Sequence, residues 1–264
     1  MKTRIPARTA LAVIATGICL AASASGQTTT WYSDTTNNSA IATGTAANTF
    51  IDLGSTNWKD TYIRQDQAST NFGNSTSIQV NRDGTIANDV SIIMVGWNNL
   101  NITDTVTAAR YYFTLEGAAV AGTSNTWYVV GINGSQGAWT ETGATWTNSN
   151  TLVDQVNYAT TNYGTFTYAG NFADYNDSTK WFSIDVKDAL ADYKAGTISG
   201  IALINNTSSG AATGTAQRLQ LNTAEETNAN LRPGMLVTTT PVPEPATVSL
   251  GLIGAVGLLI RRRR

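Results

Sequence analysis

The chain predicts an all-β body, a jelly-roll-like β-sandwich with one short helix, set between an N-terminal signal helix and a C-terminal transmembrane helix. Three observations carry this. Nine short stretches have strand character and are separated by turn residues. Only one segment repeats its apolar residues at helical spacing. Asn, Thr, Gly, Ser and Ala dominate, with aromatics interspersed and only 13% charged residues, a composition that favours short strands and many turns over long amphipathic helices. Strands without accompanying helices must bury their apolar faces against one another, which gives two packed sheets.

Residues 1–26 form the signal helix. Lys2, Arg4 and Arg8 supply a positive start, Ala10 to Ala22 an apolar run, and Ala22-Ser23-Ala24 a small-residue cleavage site, with Ala24-Ser25-Gly26 as the alternative. The single cysteine, Cys19, lies inside this segment. After cleavage the chain has no thiol, so packing and hydrogen bonds must hold it in an oxidising space without disulfides.

Residues 27–57 read as an N-terminal strand followed by a polar Thr/Asn/Ala segment. Residues 58–240 read as the sandwich. Its strands are expected at Thr61–Arg64, Ser77–Val80, Val90–Trp97, Ala108–Glu116, Thr126–Gly131, Trp181–Ile184, Gly200–Asn205, Arg218–Asn222 and Met235–Thr239. Period-two alternation is clear in Ser77-Ile78-Gln79-Val80 and Arg218-Leu219-Gln220-Leu221, and Asp83-Gly84 is a turn signal. The helix follows Asp185, which can cap it. Val186, Ala189, Leu190 and Tyr193 make its apolar face, Lys194 sits in its last turn, and Gly196 can end it.

Residues 241–264 have three physically distinct parts. Val242-Pro243-Glu244-Pro245 blocks a helix from starting earlier. Ala246 to Ile260 is uncharged and spans roughly 22 Å as a helix at ~1.5 Å per residue, short of a ~30 Å hydrocarbon core. Arg261, Arg262, Arg263 and Arg264 close the chain; their stems can snorkel over part of the shortfall, and their charge should stay on the cytoplasmic side. This order of parts resembles the PEP-CTERM sorting signal of bacterial envelope proteins. The resemblance implies an exosortase-type membrane protease as partner, a membrane anchor that is only temporary, and delivery to the cell surface or extracellular matrix.

Charge narrows the partners. Three of the 16 basic residues lie in the signal segment and four at the C-terminus, leaving nine; all of the 18 acids but Glu244 lie in the body, leaving 17. The mature body therefore carries about −8, although the whole chain sums to −2. Such a surface is a poor nucleic-acid binder, because phosphate affinity needs clustered Lys and Arg.

The body also resembles the DNRLRE domain. The residues that carry the likeness are Asp60-Thr61-Tyr62-Ile63-Arg64, Thr70-Asn71-Phe72-Gly73-Asn74-Ser75 with Ile78-Gln79-Val80, Trp139-Thr140-Glu141 with Thr145-Trp146, Phe182-Ser183-Ile184-Asp185-Val186, and Arg232-Pro233 with Leu236-Val237. The likeness spans roughly Trp58 to Thr239. It departs at Gly96-Trp97-Asn98, where that family has Phe-Asp. It implies a jelly-roll sandwich related to carbohydrate-binding modules, with polysaccharide or matrix components as partners.

Sugar recognition needs a flat aromatic for the apolar face of the ring and polar groups for its hydroxyls. The candidates are Trp139, Glu141, Tyr112 and Trp97. Trp139 and Trp146 read two ways, as stacking residues or as core residues pinning a long loop. Trp97 ends an apolar strand, which favours packing. Tyr111-Tyr112-Phe113 alternates faces, which points Tyr112 outward. Arg64 and Arg110 could share a sheet face, and Arg232 fixes the loop before the last strand. A body at −8 prefers a neutral or mixed glycan to an acidic one.

No cofactor is expected. A structural calcium is conceivable, because Asp60, Asp66, Asp83 and Asp89 crowd the first third and Asp174-Tyr175-Asn176-Asp177 offers oxygens at short spacing. The alternative is that these are acidic turns in water. With no histidine, Ser-His and Cys-His nucleophiles are excluded, and the chain reads as a non-enzyme. A polysaccharide lyase or hydrolase would have to work with carboxylates such as Glu116, Glu141, Glu225 and Glu226; Glu225-Glu226 reads as a solvated loop. The other non-catalytic reading is a structural matrix protein without a discrete ligand.

Overall fold

The computed structural model describes residues 27–33, 49–82, 90–118, 125–153, 155, 161–168, 175–205 and 217–241. The signal segment, the Asp83-Gly84 turn, and the C-terminal segment from Val242 to Arg264 lie outside the described residues. Among the described residues no helix is long and apolar enough to cross a membrane.

Two sheets face each other. One has five strands in the order β10 (Phe182–Asp185), β6 (Thr105–Phe113), β13 (Gly234–Thr240), β1 (Thr28–Ser33) and β2 (Thr49–Asp52). The other has eight: β7 (Leu115–Ala118), β12 (Gln217–Asn222), β4 (Ser77–Arg82), β5 (Val90–Trp97), β11 (Ile198–Asn205), β8 (Asn125–Asn133) and β9 (Gly164–Tyr168), with β3 (Trp58–Arg64) paired along β5. All described pairs are antiparallel except β1 with β2.

All nine expected strands form, usually longer by a residue or more. Ala108–Glu116 differs. It is two strands, because the chain leaves the five-stranded sheet after Phe113 and enters the eight-stranded sheet at Leu115. Thr114, wholly buried, makes the corner. Its hydroxyl donates to Leu231 O at 2.6 Å and accepts from Asn222 Nδ2 at 2.8 Å. An apolar run reads alike in either sheet, so hydrophobicity alone did not mark the crossing. β2 and β9 were not expected. In β9 the buried residues alternate, Phe166 and Tyr168 inward, while β2 is a four-residue edge strand held in register by β1.

The helix forms as α2 (Lys187–Lys194), after a single turn, α1 (Trp146–Ser149). The N-cap is Val186, with no side-chain cap bond, rather than Asp185; Asp185, one residue earlier, accepts from Lys187 N through Oδ1 at 3.0 Å. Val186, Ala189, Leu190 and Tyr193 are buried, and Gly196, at φ +76, terminates the helix.

The central strands of the eight-stranded sheet, β3, β5, β8 and β11, are buried on both faces. Along β5, Ile93, Val95 and Trp97 point into the space between the sheets, where they meet Tyr111, Phe113, Met235 and Val237 from the five-stranded sheet. Ile92 and Met94 point the other way. There they join Ile63 of β3, Val130 and Ile132 of β8, and Ala202 and Ile204 of β11 in a second core. This explains why β5 and β11 are apolar at successive positions rather than alternating. Residues after β8 supply the cover, with Trp139, Ala144 and Val153 packed onto that outer face.

β5 and β11 approach closely at Gly96 and Gly200, which pair in register. A Cβ on Gly200 would overlap Val95 O and lie 2.7 Å from Gly96 Cα, both backbone atoms that cannot step aside. Gly200→Ala is expected to lower the unfolding free energy by about 1–3 kcal/mol, read as a shifted urea midpoint at unchanged slope.

Candidate functional site

The structure separates the four aromatic and acidic candidates into three places. Trp97 is fully buried between the sheets. Its ring lies 6.4 Å from Trp58 and 5.8 Å from Tyr193, both edge-on. A side chain enclosed on both faces offers nothing for a sugar to stack on, so its assignment as a binding residue gives way to packing.

Trp139 is only 4% exposed. Its indole sits over Gly96, where a Cβ would come within 2.6 Å of Cζ2, and the Lys59 ammonium lies 4.4 Å from the ring centroid. Lys59 Nζ also donates to Gln136 O and Trp139 O, each at 3.0 Å. Burial lowers the Lys59 pKa from 10.5 to about 8, partly opposed by the Glu141 charge. Trp139 is thus the rivet that fastens the covering segment to the sheet, and half-buried Trp146 packs against the same core. Beside it lies a cavity of about 330 Å³ bordered by Thr140, Asn148 and Ser149.

Glu141 follows from the same rivet. Its Oε1 accepts from Asp60 N at 2.9 Å. Asn71 Nδ2 holds the backbone here, donating to Glu141 O at 2.7 Å and Ala144 O at 2.8 Å. Asp60, on β3, is buried at 1% exposure. Its Oδ2 accepts from Trp58 Nε1 at 3.1 Å and Ala224 N at 3.0 Å. Glu225 comes next in the chain and is half-buried, which corrects the solvated loop expected for Glu225-Glu226. Ala224 is buried and draws its neighbour inward; no periodicity surrounds these residues to signal it. One oxygen from each of Asp60, Glu141 and Glu225 lies within 4.8 Å of the others. Burial first, and then the charges of Glu225 and Glu141, raise the Asp60 pKa well above 3.8. Burial also raises that of Glu225.

Tyr112 lies elsewhere, half-buried on the outward side of β6, while Tyr111 and Phe113 point into the core. Of its neighbours, Arg110 was weighed from sequence, while Trp31 was not. Trp31 of β1 reaches across Gly234, where a Cβ would come within 2.5 Å of Cε2, to place its ring 5.8 Å from Tyr112. Ser183 pairs with Tyr112 in register. Exposed Arg110 donates from Nε to Ser183 Oγ at 3.0 Å. Asp185 stands opposite Arg110. Arg64 belongs to the other sheet and is paired with Asp66, so Arg64 and Arg110 do not share a face. Arg232 Nε donates to Glu226 O at 2.6 Å and secures the loop before β13, as expected.

The chain matches carbohydrate-binding module family 96 over residues 53–239, from the turn before β3 to the end of β13. It belongs to that family. No curated protein matches it. In this carbohydrate-binding module the match contains both sheets' central strands, the Asp60–Glu141–Glu225 cluster and Tyr112, while Trp31 lies outside it.

Two outcomes follow. Trp139→Ala should cost about 3–5 kcal/mol of stability, as for a buried aromatic, seen as a lowered denaturation midpoint before any ligand is added. The second concerns pH. Asp60 and Glu225 have folded pKa values above 3.8 and 4.5, so their contribution is fully present below about pH 4 and is lost as pH rises through the folded values. Measured in chelator, the stability of wild type relative to Asp60→Asn should therefore fall as pH rises above about 4. An unchanging difference would contradict the burial of this charge.

Proposed function

We propose that this protein is an exported, non-catalytic module that binds polysaccharide at the cell surface or in the extracellular matrix. The observation that carries the reading is the family match over the sandwich. Geometry favours the outward side of the five-stranded sheet as the contact surface. Tyr112 offers a half-exposed ring, Arg110 and Ser183 offer donors and acceptors beside it, and Asp185 stands opposite Arg110 on the neighbouring strand. A ring for the apolar side of a sugar flanked by groups for its hydroxyls is the chemistry such recognition needs. One charge of each sign at this place, Arg110 and Asp185, on a body near −8, suits a neutral or mixed glycan.

Export rests on the sequence at the two ends. The 1–26 segment directs secretion. Val242-Pro243-Glu244-Pro245, the apolar run and Arg261–Arg264 act as a PEP-CTERM signal, read by an exosortase-type protease that releases the temporary anchor.

With the full chain in mild detergent, affinity electrophoresis through neutral and acidic polysaccharides should show retardation that Tyr112→Ala reduces about tenfold or more, equivalent to ~1.4 kcal/mol, with an unchanged urea midpoint. Retardation by no glycan, with or without calcium, would favour a matrix building block without a discrete ligand. In cells, replacing Pro243 and Pro245 by Ala should leave the protein in the membrane fraction; equal release of both forms would refute sorting through this motif.

A further inference from the structure

Asp60, Glu141 and Glu225 come from positions far apart in the chain: β3, the segment covering the outer face, and the loop after β12. Asp60 and Glu141 are each positioned by donors outside the other two carboxylates, and Glu225 meets the Asp60 carboxyl directly. Asp60 is fixed through Oδ2 by the Trp58 indole and Ala224 N. Glu141 is fixed through Oε1 by Asp60 N and through its backbone by Asn71. Gly73 permits this, because a Cβ there would lie 2.7 Å from the Glu141 carbonyl carbon and side chain.

Two oxygens in this group are enclosed by protein and have no hydrogen-bond partner, Asp60 Oδ1 and Glu225 Oε2. Asp60 is 1% exposed. Its other oxygen is already engaged by two donors. The charges of Lys59 and Arg232 are felt by Glu141 and Glu225, while Lys59 Nζ donates to the Gln136 and Trp139 carbonyls and Arg232 Nε to Glu226 O. An enclosed acceptor with no donor is expensive, and three converging carboxylates add mutual repulsion.

We propose that Asp60, Glu141 and Glu225 bind one calcium ion, which clamps the covering segment and the β12–β13 loop onto β3. Ligands on opposite sides of a calcium ion, each at ~2.4 Å, stand about 4.8 Å apart, so three oxygens all within 4.8 Å of one another fit around a single ion. The donor set is all oxygen and all anionic, which selects a hard cation over zinc. Calcium gives up its water more readily than magnesium and accepts carboxylates brought from three separate segments without demanding an octahedron, which favours calcium here. The remaining ligands are water. The clamp gives a body without a disulfide a cross-link between segments 81 and 84 residues apart along the chain.

The test is isothermal titration of the full chain, stripped with chelator, with calcium chloride and separately with magnesium chloride, together with thermal unfolding. One calcium per chain at submillimolar to millimolar affinity is expected, with a higher unfolding temperature in calcium and a weaker response to magnesium. Glu225→Gln should weaken calcium binding by about tenfold or more, yet unfold in chelator no earlier than wild type, since it removes one of the repelling charges. Asp60→Asn should behave alike; if it fails to fold, the half-buried Glu225 variant decides. Absence of calcium binding at millimolar concentration, or equal binding by wild type and Glu225→Gln, overturns the proposal.

Discussion

Burial of the central strands of the eight-stranded sheet on both faces is the constraint from which most of the molecule follows. A sandwich needs only its inner faces covered. Here β5 and β11 carry Ile92, Met94, Ala202 and Ile204 on the opposite side as well, and these would face water unless another part of the chain lay across them. The segment after β8 does so, and Trp139 anchors it over the gap left by Gly96. Removing that cover would expose a continuous aliphatic surface on the widest sheet, which no disulfide compensates. The cover is therefore part of the fold rather than an accessory loop.

The cover also sets the chemistry. Once Trp139 is seated, Glu141 two residues later reaches β3, accepts from Asp60 N and stands beside the Asp60 carboxylate. The β12–β13 loop is drawn to the same place because Ala224 N needs an acceptor and Asp60 supplies it. Packing and electrostatics are thus coupled: the apolar rivet brings an acid to an acid. The Lys59 ammonium stays at the Trp139 end, held by two carbonyls and the ring face.

Much of this is legible in the residues. Strand positions follow from β-branched and aromatic runs between turn residues, and the unbroken apolar stretch of β5 already signals a strand with no solvent side. Helix α2 is legible because its apolar face and terminating glycine agree with one another. The sheet change at Thr114 is not, because a polar corner residue bonded to Leu231 O and Asn222 is defined by partners over a hundred residues away. The site was partly legible. Alternation placed Tyr112 outward. Glu141 was singled out for its place beside Trp139, but its meeting with Asp60 and Glu225 depends on three-dimensional closure. Trp97 and Trp139 attract attention as aromatics, and only the packing shows that both are consumed by the cores.

The two chemically distinct surfaces then have different tasks. The carboxylate cluster is enclosed and rigidly held, at the seam between β3 and two loops, which suits an ion and excludes a polymer. The outward side of β6 and β10 carries half-buried Tyr112 and exposed Arg110 beside Ser183 on neighbouring strands, the ring and polar groups that the proposed glycan contact needs. A polysaccharide chain approaching that face meets a sheet whose back is the aromatic core of Tyr111, Phe113 and Phe182, with ring centroids 5.6 Å and 6.2 Å apart. Stacked side chains on one side of a strand restrict its twist and so fix the spacing of those on the other. The same rings that close the interior therefore hold the outward side chains of β6 in place, the kind of preorganisation that lowers the cost of binding.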